Sequence, residues 1–187
     1  MDKMKKLMAI KMAINLNLQL FAEAVSGKKI IYLYRVLNDA ATEAGTVMAF
    51  TTENSFSMSK DADTTATKDG TIRTPGEAEI EITATSILAK GDKMFKRLKQ
   101  AMLNDEIIEI WKVNLDEPVD GADDKFEGTY YQGYLTEFEE SASAEDHVEC
   151  STTFGINGTG ADGEVTVSAE QQAIADYVFT DTQATGA

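Results

Sequence analysis

One stretch of this chain has a helical period, and it stands among segments that alternate as strands do. In Gly91–Asn104 the apolar residues Met94, Phe95, Leu98, Ala101 and Met102 recur at i, i+1, i+4, i+7 and i+8, one stripe of a helix. Asp92 is placed to cap its start and Asn104 to stop it. Lys93, Lys96, Arg97 and Lys99 take the other face. A single amphipathic helix with strands on either side must cover an open edge or end of a sheet system, between two β halves. Its basic face is expected to meet acidic surface of its own or of a neighbouring subunit.

The flanking segments read as strands. Lys29–Leu37 is apolar at both parities, so it predicts a strand covered on both sides. After the polar connection Asn38–Gly45, the stretch Gly45–Ser59 puts Met48, Phe50, Thr52, Asn54, Phe56 and Met58 on one face. Ser59–Gly76 contains almost nothing that anchors a core, yet its threonines favour strand and Asp69-Gly70 signals a hairpin turn. This predicts a long hairpin arm over 59–76, with Asp61, Asp63, Lys68, Asp69, Gly70 and Arg73 as its exposed assembly residues. Such an arm is marginal alone and should order when it docks.

Glu77–Ile87 returns as a strand with Ile80 and Ile82 inward. Past the helix, Glu106–Leu115 carries Trp111 on the parity of Ile107, Val113 and Leu115. Asp116–Glu127 is an acidic loop. Gly128–Glu140 is an aromatic-rich strand whose partner is His147–Asn157, where Val148, Cys150, Thr152, Phe154 and Ile156 alternate with polar residues. Asn157–Gly163 reads as a glycine-rich turn and Glu164–Ser168 as a short strand. Ser168-Ala169-Glu170-Gln171 has the form of a capping box opening a short helix over Ala169–Tyr177. The fold class expected is mainly β: a β-sandwich or partly closed barrel, flanked by one amphipathic helix, with a long projecting hairpin.

Charge narrows the partners. The chain of 187 residues has a formal net charge of −15. Between Asp105 and Glu149 fifteen acids face only Lys112 and Lys125, a net of −13. That balance argues against binding nucleic acid by neutralising phosphates. It suits a solvated surface or one that repels polyanions. A lone cysteine, Cys150, excludes an internal disulfide and a multi-cysteine metal site. No segment has the uninterrupted apolar length of a membrane helix. Met1–Ala24 has early lysines and an Ala-Glu-Ala end, the outline of a signal peptide. Lys11, Asn15, Asn17 and Gln19 interrupt its apolar run, so a leader or extension over 1–23 that packs on a neighbour is expected, with Met12 an alternative start.

The sites available for chemistry are few. Asp116, Asp120, Asp124 and Glu127 match positions of a calcium loop, but Pro118 sits where a ligand belongs and the flanks are strands rather than helices. A solvated acidic loop is expected, with a calcium-dependent extracellular β interaction module as the alternative. An acidic DNA mimic that occupies a DNA-binding enzyme rests on charge alone. His147 is expected at the surface and Cys150 in the core. Asn157-Gly158-Thr159 fits the glycosylation pattern and is better read as a turn. Tyr130, Tyr131 and Tyr134 suit a protein interface. No phosphate loop, dinucleotide fingerprint or nucleophile elbow occurs, so nothing argues for an enzyme or a cofactor.

The order of several short motifs carries a resemblance. These are Gly27-Lys28-Lys29 before the first strand, Lys68-Asp69-Gly70 in the arm, Gly91-Asp92 opening the helix and Glu109-Ile110-Trp111 after it. Tyr130 to Tyr134, Glu149-Cys150-Ser151-Thr152-Thr153-Phe154, Gly158 to Gly163 and Tyr177-Val178-Phe179-Thr180-Asp181-Thr182 complete the set. Together, from about Ala24 to Thr182, the chain resembles the major tail, or tail tube, proteins of long-tailed phages of Gram-positive hosts. Leu16 to Glu23 looks like a leader seen on phage structural proteins. The immunoglobulin-like domain that some members add is not expected in these residues.

The resemblance implies a single domain over 24–179, a polar tail over 180–187, and subunits in hexameric rings stacked into a tube. Tape measure, tail terminator and distal tail proteins would be partners, and the location would be the virion tail after synthesis in the host cytoplasm. Genomic DNA would pass through without specific binding. An acidic subunit suits that passage, since basic groups in a lumen would hold phosphates and stall the strand.

Overall fold

A computed structural model describes residues 24–175. The leader over 1–23, the end of the second helix at Tyr177, the closing motif Tyr177 to Thr182 and the tail over 180–187 lie outside the described residues. Six strands, β1 (Ile30–Val36), β2 (Thr51–Thr67), β3 (Gly70–Ile87), β4 (Ile108–Pro118), β5 (Lys125–Ser141) and β6 (Glu149–Thr166), form one antiparallel sheet. Their order is β1-β4-β5-β6-β3-β2, so β1 and β2 are its edges. Two helices, α1 (Lys93–Leu103) and α2 (Ala169–Ala175), complete the described elements with two short 3-10 turns.

The sheet curls until its two edges approach across the core. From β1, the Tyr34 hydroxyl donates to Asn54 Oδ1 on β2 at 3.3 Å. The Tyr34 ring stacks on Phe154 of β6 with centroids 5.3 Å apart. Phe56 of β2 meets Tyr131 of β5 at 5.7 Å, and Lys112 of β4 lies over the Phe56 ring at 4.7 Å. No ladder joins β1 to β2. Of the two expected architectures the molecule is therefore the partly closed barrel, one curled sheet rather than two stacked ones.

Its core lies on the concave side. Tyr32, Tyr34 and Val36 of β1, Ile82 and Ala84 of β3, Ile108 and Ile110 of β4, and Cys150 and Phe154 of β6 pack there with Phe95, Leu98 and Ala101 of α1. The other face of β1 packs in a second cluster, with Ile31 and Leu33 against Val113, Leu115, Phe126 and Val167. A strand apolar at both parities is thus covered on both sides, by the barrel core and by this smaller outer cluster.

The helix α1 plugs one end. Asp92 Oδ1 accepts the Met94 N–H at 2.7 Å, the cap that the sequence places there. At the other terminus the Asp105 N–H donates to the Met102 carbonyl at 3.4 Å and the Glu106 N–H to the Ala101 carbonyl at 2.9 Å. This pair of bonds, with Asp105 at φ 53°, is a Schellman stop in which aspartate holds the usual glycine place. The strand expected from Glu106 therefore starts only at Ile108. Leu98→Ala, which empties a fully buried position at this plug, should cost about 2–5 kcal/mol of stability.

Further boundaries differ from the sequence reading. The strand read from Gly45 begins only at Thr51: Met48 is buried ahead of it, and Phe50 sits at φ 51° and is exposed. β4 continues to Pro118 and β5 begins at Lys125, which shortens the acidic loop to 119–124. Asn157–Gly163 is no turn. It lies inside β6, which runs unbroken from Glu149 to Thr166 beside β5. The register passes from Tyr130↔Ala161 to Gln132↔Asn157, so β6 carries a bulge there. Gly158 and Gly160, at φ 71° and 79°, let the bulge form. A Cβ on Gly160 would come within 2.4 Å of the Tyr131 ring. Gly160→Ala should therefore destabilise the fold by about 1–3 kcal/mol or more, measured by urea denaturation. Wild-type stability of that variant would show that the bulge is not required.

Candidate assembly surfaces

The described residues offer surfaces rather than a reactive centre. At the plugged end, Arg97 on α1 is half-buried and donates from Nε to Asp39 Oδ2 at 2.6 Å and from Nη2 to Oδ1 at 3.1 Å. Its Nη1 donates to Glu106 Oε2, and Asn38 Nδ2 reaches Glu106 Oε1 at 3.0 Å. One guanidinium thus ties the helix to the turn after β1 and to the segment leading into β4. These bonds hold the Glu106 carboxyl below its ordinary 4.5. Burial and geometry separate the four basic residues predicted as a face. Arg97 is spent within the subunit, Lys99 lies 3.9 Å from Glu140 and over Phe138, and Lys93 and Lys96 are exposed.

A carboxyl whose pKa is lowered in the fold adds stability that is present above its ordinary value. That stability is lost as pH falls through the depressed value. Arg97→Met should therefore lower the melting temperature by several degrees at pH 7, and the gap from wild type should close as pH is taken down through the carboxylate range. A gap that persists unchanged at pH 3 would place the effect in packing instead.

The hairpin of β2 and β3 is paired along its length. Its register runs from Thr51↔Ser86 to Thr67↔Gly70, with shifts after Thr51 and after Lys60, and Lys68 and Asp69 are the two loop residues, one position before the Asp69-Gly70 turn read from the sequence. Thr67 Oγ1 donates to the Gly70 carbonyl at 2.7 Å, closing that turn. Pairing of β3 with β6 starts only at Ile80, so beyond it the hairpin pairs with nothing else among the described residues. Every residue from 57 to 77 is exposed, including Asp61, Asp63, Lys68, Asp69, Gly70 and Arg73. Ile72 and Met58 are apolar side chains left in solvent there.

The acidic residues at the opposite end do not converge. Asp116 and Glu127 lie on the facing strands β4 and β5, Asp120 and Asp124 on the loop between them, all exposed. No three acidic, histidine or cysteine side chains gather into a metal-sized group among the described residues. His147 is exposed in the loop before β6 rather than on the strand. Cys150 is fully buried, and burial pushes its thiol up to about 11, so it serves as a core side chain.

The tyrosine cluster is divided by the sheet. Tyr131 is buried in the core, and Tyr134 stays partly exposed on the outer face. Tyr130, also on the outer face, donates to Glu109 Oε1 at 2.7 Å and accepts from Gln132 Nε2 at 2.6 Å. The sequence reading missed the group that Tyr130 belongs to. Arg35 Nε donates to Glu109 Oε2 at 2.7 Å, and the guanidinium lies 5.0 Å from the Trp111 ring. Glu109 is 5% exposed and directly opposite Arg35 in the ladder. No local signal announced the pair, because Glu109 is one of several charges in β4 and its partner lies 74 residues away. The network is covered by the segment after β1, where Gly45 abuts Trp111 and its carbonyl accepts from Gln171 Nε2 of α2.

Residues 24–175, the whole described fold, match the family described as phage tail tube protein. The chain belongs to that family. Two relatives fit this membership. A candidate tail protein of Staphylococcus phage phiMR25 is 32% identical over 114 residues, 60% of this chain and 59% of that protein. The tail tube protein of Bacillus phage SPP1 is 26% identical over 147 residues, 79% of this chain and 54% of that protein. The chain thus spans somewhat more than half the length of the curated relatives that it matches. The structure of the SPP1 tail tube superposes with a TM-score of 0.64 at 23% identity, covering 87% of this chain and 95% of that one. The tail tube family and this chain share the curled mainly β fold.

Proposed function

We propose that this protein is the structural subunit of a phage tail tube. Copies close into rings, six to a ring as the family resemblance implies, and the rings stack into the conduit for genome ejection. The observation that carries this is the family match, which runs through every described element including the hairpin. The form of the molecule supports it. The edge strand β2 has an unpaired side among the described residues, and the outer hairpin exposes Met58 and Ile72 with no partner among them. Monomeric proteins normally protect such an edge, and a subunit can protect it by assembly.

The net charge of −15 suits a duplex moving past without being held. Contacts with the tape measure, tail terminator and distal tail proteins at the ends of the tube follow from the same reading, as does a place in the virion tail after synthesis in the host cytoplasm. Negative-stain electron microscopy of concentrated protein should show tubes. Monomers alone, even with tail initiator proteins added, would refute the proposal. Deleting Asp61–Thr74 removes only self-paired hairpin, so the remaining domain should keep its circular dichroism spectrum while tubes disappear. Tubes of unchanged length in that variant would take the hairpin out of stacking.

A further inference from the structure

Phe50 is unfavourable to a lone subunit in two ways, through its backbone and through its side chain. It sits at φ 51° in the turn that leads into β2, and it is 68% exposed. That region suits glycine or asparagine, whereas a bulky side chain there is an outlier. The turn is held from both sides. Met48 ahead of it is buried in the core, and its carbonyl accepts from Thr51 Oγ1 at 2.9 Å. The Ser86 hydroxyl donates to Thr51 Oγ1 at 3.1 Å, and the Phe50 carbonyl accepts the Ile87 N–H at 3.0 Å. None of these bonds involves the Phe50 side chain, so the turn does not need the ring.

Among the described residues the ring belongs to neither hydrophobic cluster and meets no other ring and no cation. Leu88, the residue after Ile87, is a second large apolar side chain at the surface. The residue after Phe50 opens β2, whose outer side is unpaired among the described residues. The other edge of the sheet is partly closed by its own chain. The Tyr34 N–H of β1 donates to the Thr46 carbonyl at 2.8 Å, and the Thr46 N–H returns to the Tyr34 carbonyl at 3.0 Å. Phe50 therefore stands at the root of the more open edge and is continuous with it. A residue held in strain by its surroundings, with its ring in solvent, points to a contact that a partner supplies.

We infer that Phe50 is the anchor by which a second copy of this chain docks at the root of the β2 edge. This deepens the tube reading and rests on it. A copy lying along β2 meets unpaired backbone from Thr51 onward and the Phe50 ring at its start, so one partner covers both. Interfaces draw most of their affinity from a few desolvated side chains, and aromatic ones are enriched at their cores. Exposed ion pairs around such a ring add little beside it. What assembly asks of position 50 is thus the reverse of what the fold prefers there, so the two can be measured apart.

The test is Phe50→Asn and Phe50→Gly in the full chain, two residues that accept a positive φ and lack the ring. Below the critical concentration each variant should melt no lower than wild type, because strain and an exposed ring are removed together. Each should nevertheless raise the critical concentration for tubes, read by light scattering, about tenfold or more. Phe50→Tyr keeps the ring and should assemble within about twofold of wild type. Where one ring-less variant melts lower, the other decides. If both melt lower, the ring supports its own subunit and the inference is overturned. Tubes at the wild-type concentration from a folded ring-less variant would overturn it too, as would a Phe50→Tyr variant that assembles as poorly as they do. Each of those results leaves the tube reading intact, whereas absence of tubes from wild type at every concentration would overturn both.

Discussion

The structure depends on how an open sheet closes around a core without a closing ladder. Six strands in one sheet leave two edges, and a sheet of this length curls because each strand twists against the next. Tyr34 settles where the curl stops. It leaves β1 at the edge, crosses the interior to stack on Phe154, and spends its hydroxyl on Asn54 of the other edge. At 1% exposure the phenol would be costly without that acceptor, so the polar tip fixes the meeting point as firmly as the ring fixes the depth. The end left open by the curl is filled by Phe95, Leu98 and Ala101 of α1, and Arg97 on the adjoining face of that helix holds it to both flanking segments.

Closure of this kind explains why so much polar structure gathers outside the barrel. The outer face of β1 and β4 is hidden, unlike the outer faces of β3 and β6, because the segment after β1 folds back over it and α2 pins that segment through Gln171 and the Gly45 carbonyl. Ser168 and Gln171 form the reciprocal cap of α2: the Gln171 N–H donates to Ser168 Oγ at 3.3 Å, and the Ser168 N–H donates to Gln171 Oε1 at 3.0 Å. The same glutamine therefore starts the helix and fastens the cover. Under that cover Glu109 can be buried because Arg35 and Tyr130 both donate to it, so the charge is paired and both carboxylate oxygens are satisfied.

What the sequence disclosed follows the reach of each signal. The helix was legible to within a residue or two because its stripe, its aspartate cap and its stop are all local. The strands were legible wherever one face met the core, since Ile80, Ile82, Cys150, Thr152 and Phe154 alternate without interruption. The glycines of β6 misled, because a positive φ serves a turn and a bulge equally and only the partner strand tells them apart. Arg35 with Glu109, and Arg97 with Asp39, were out of reach for a different reason. Their partners lie 74 and 58 residues apart, and no local pattern announces a pairing that only the register of β1 on β4, or the docking of α1 on the turn after β1, creates.

The same logic locates where a family of tubes can vary. Along the inner strands from Ile80 inward, alternate residues are committed to the core and the backbone is paired on both sides, so sequence there answers to packing. At the strand ends neither demand applies. In this chain the hairpin beyond Ile80 is where Met58 and Ile72 remain uncovered among the described residues. Residues that cost a lone subunit solubility or edge protection persist most easily where another copy supplies what is lacking. On the proposed reading, the barrel carries the packing of each subunit, and the hairpin is where one copy can meet another.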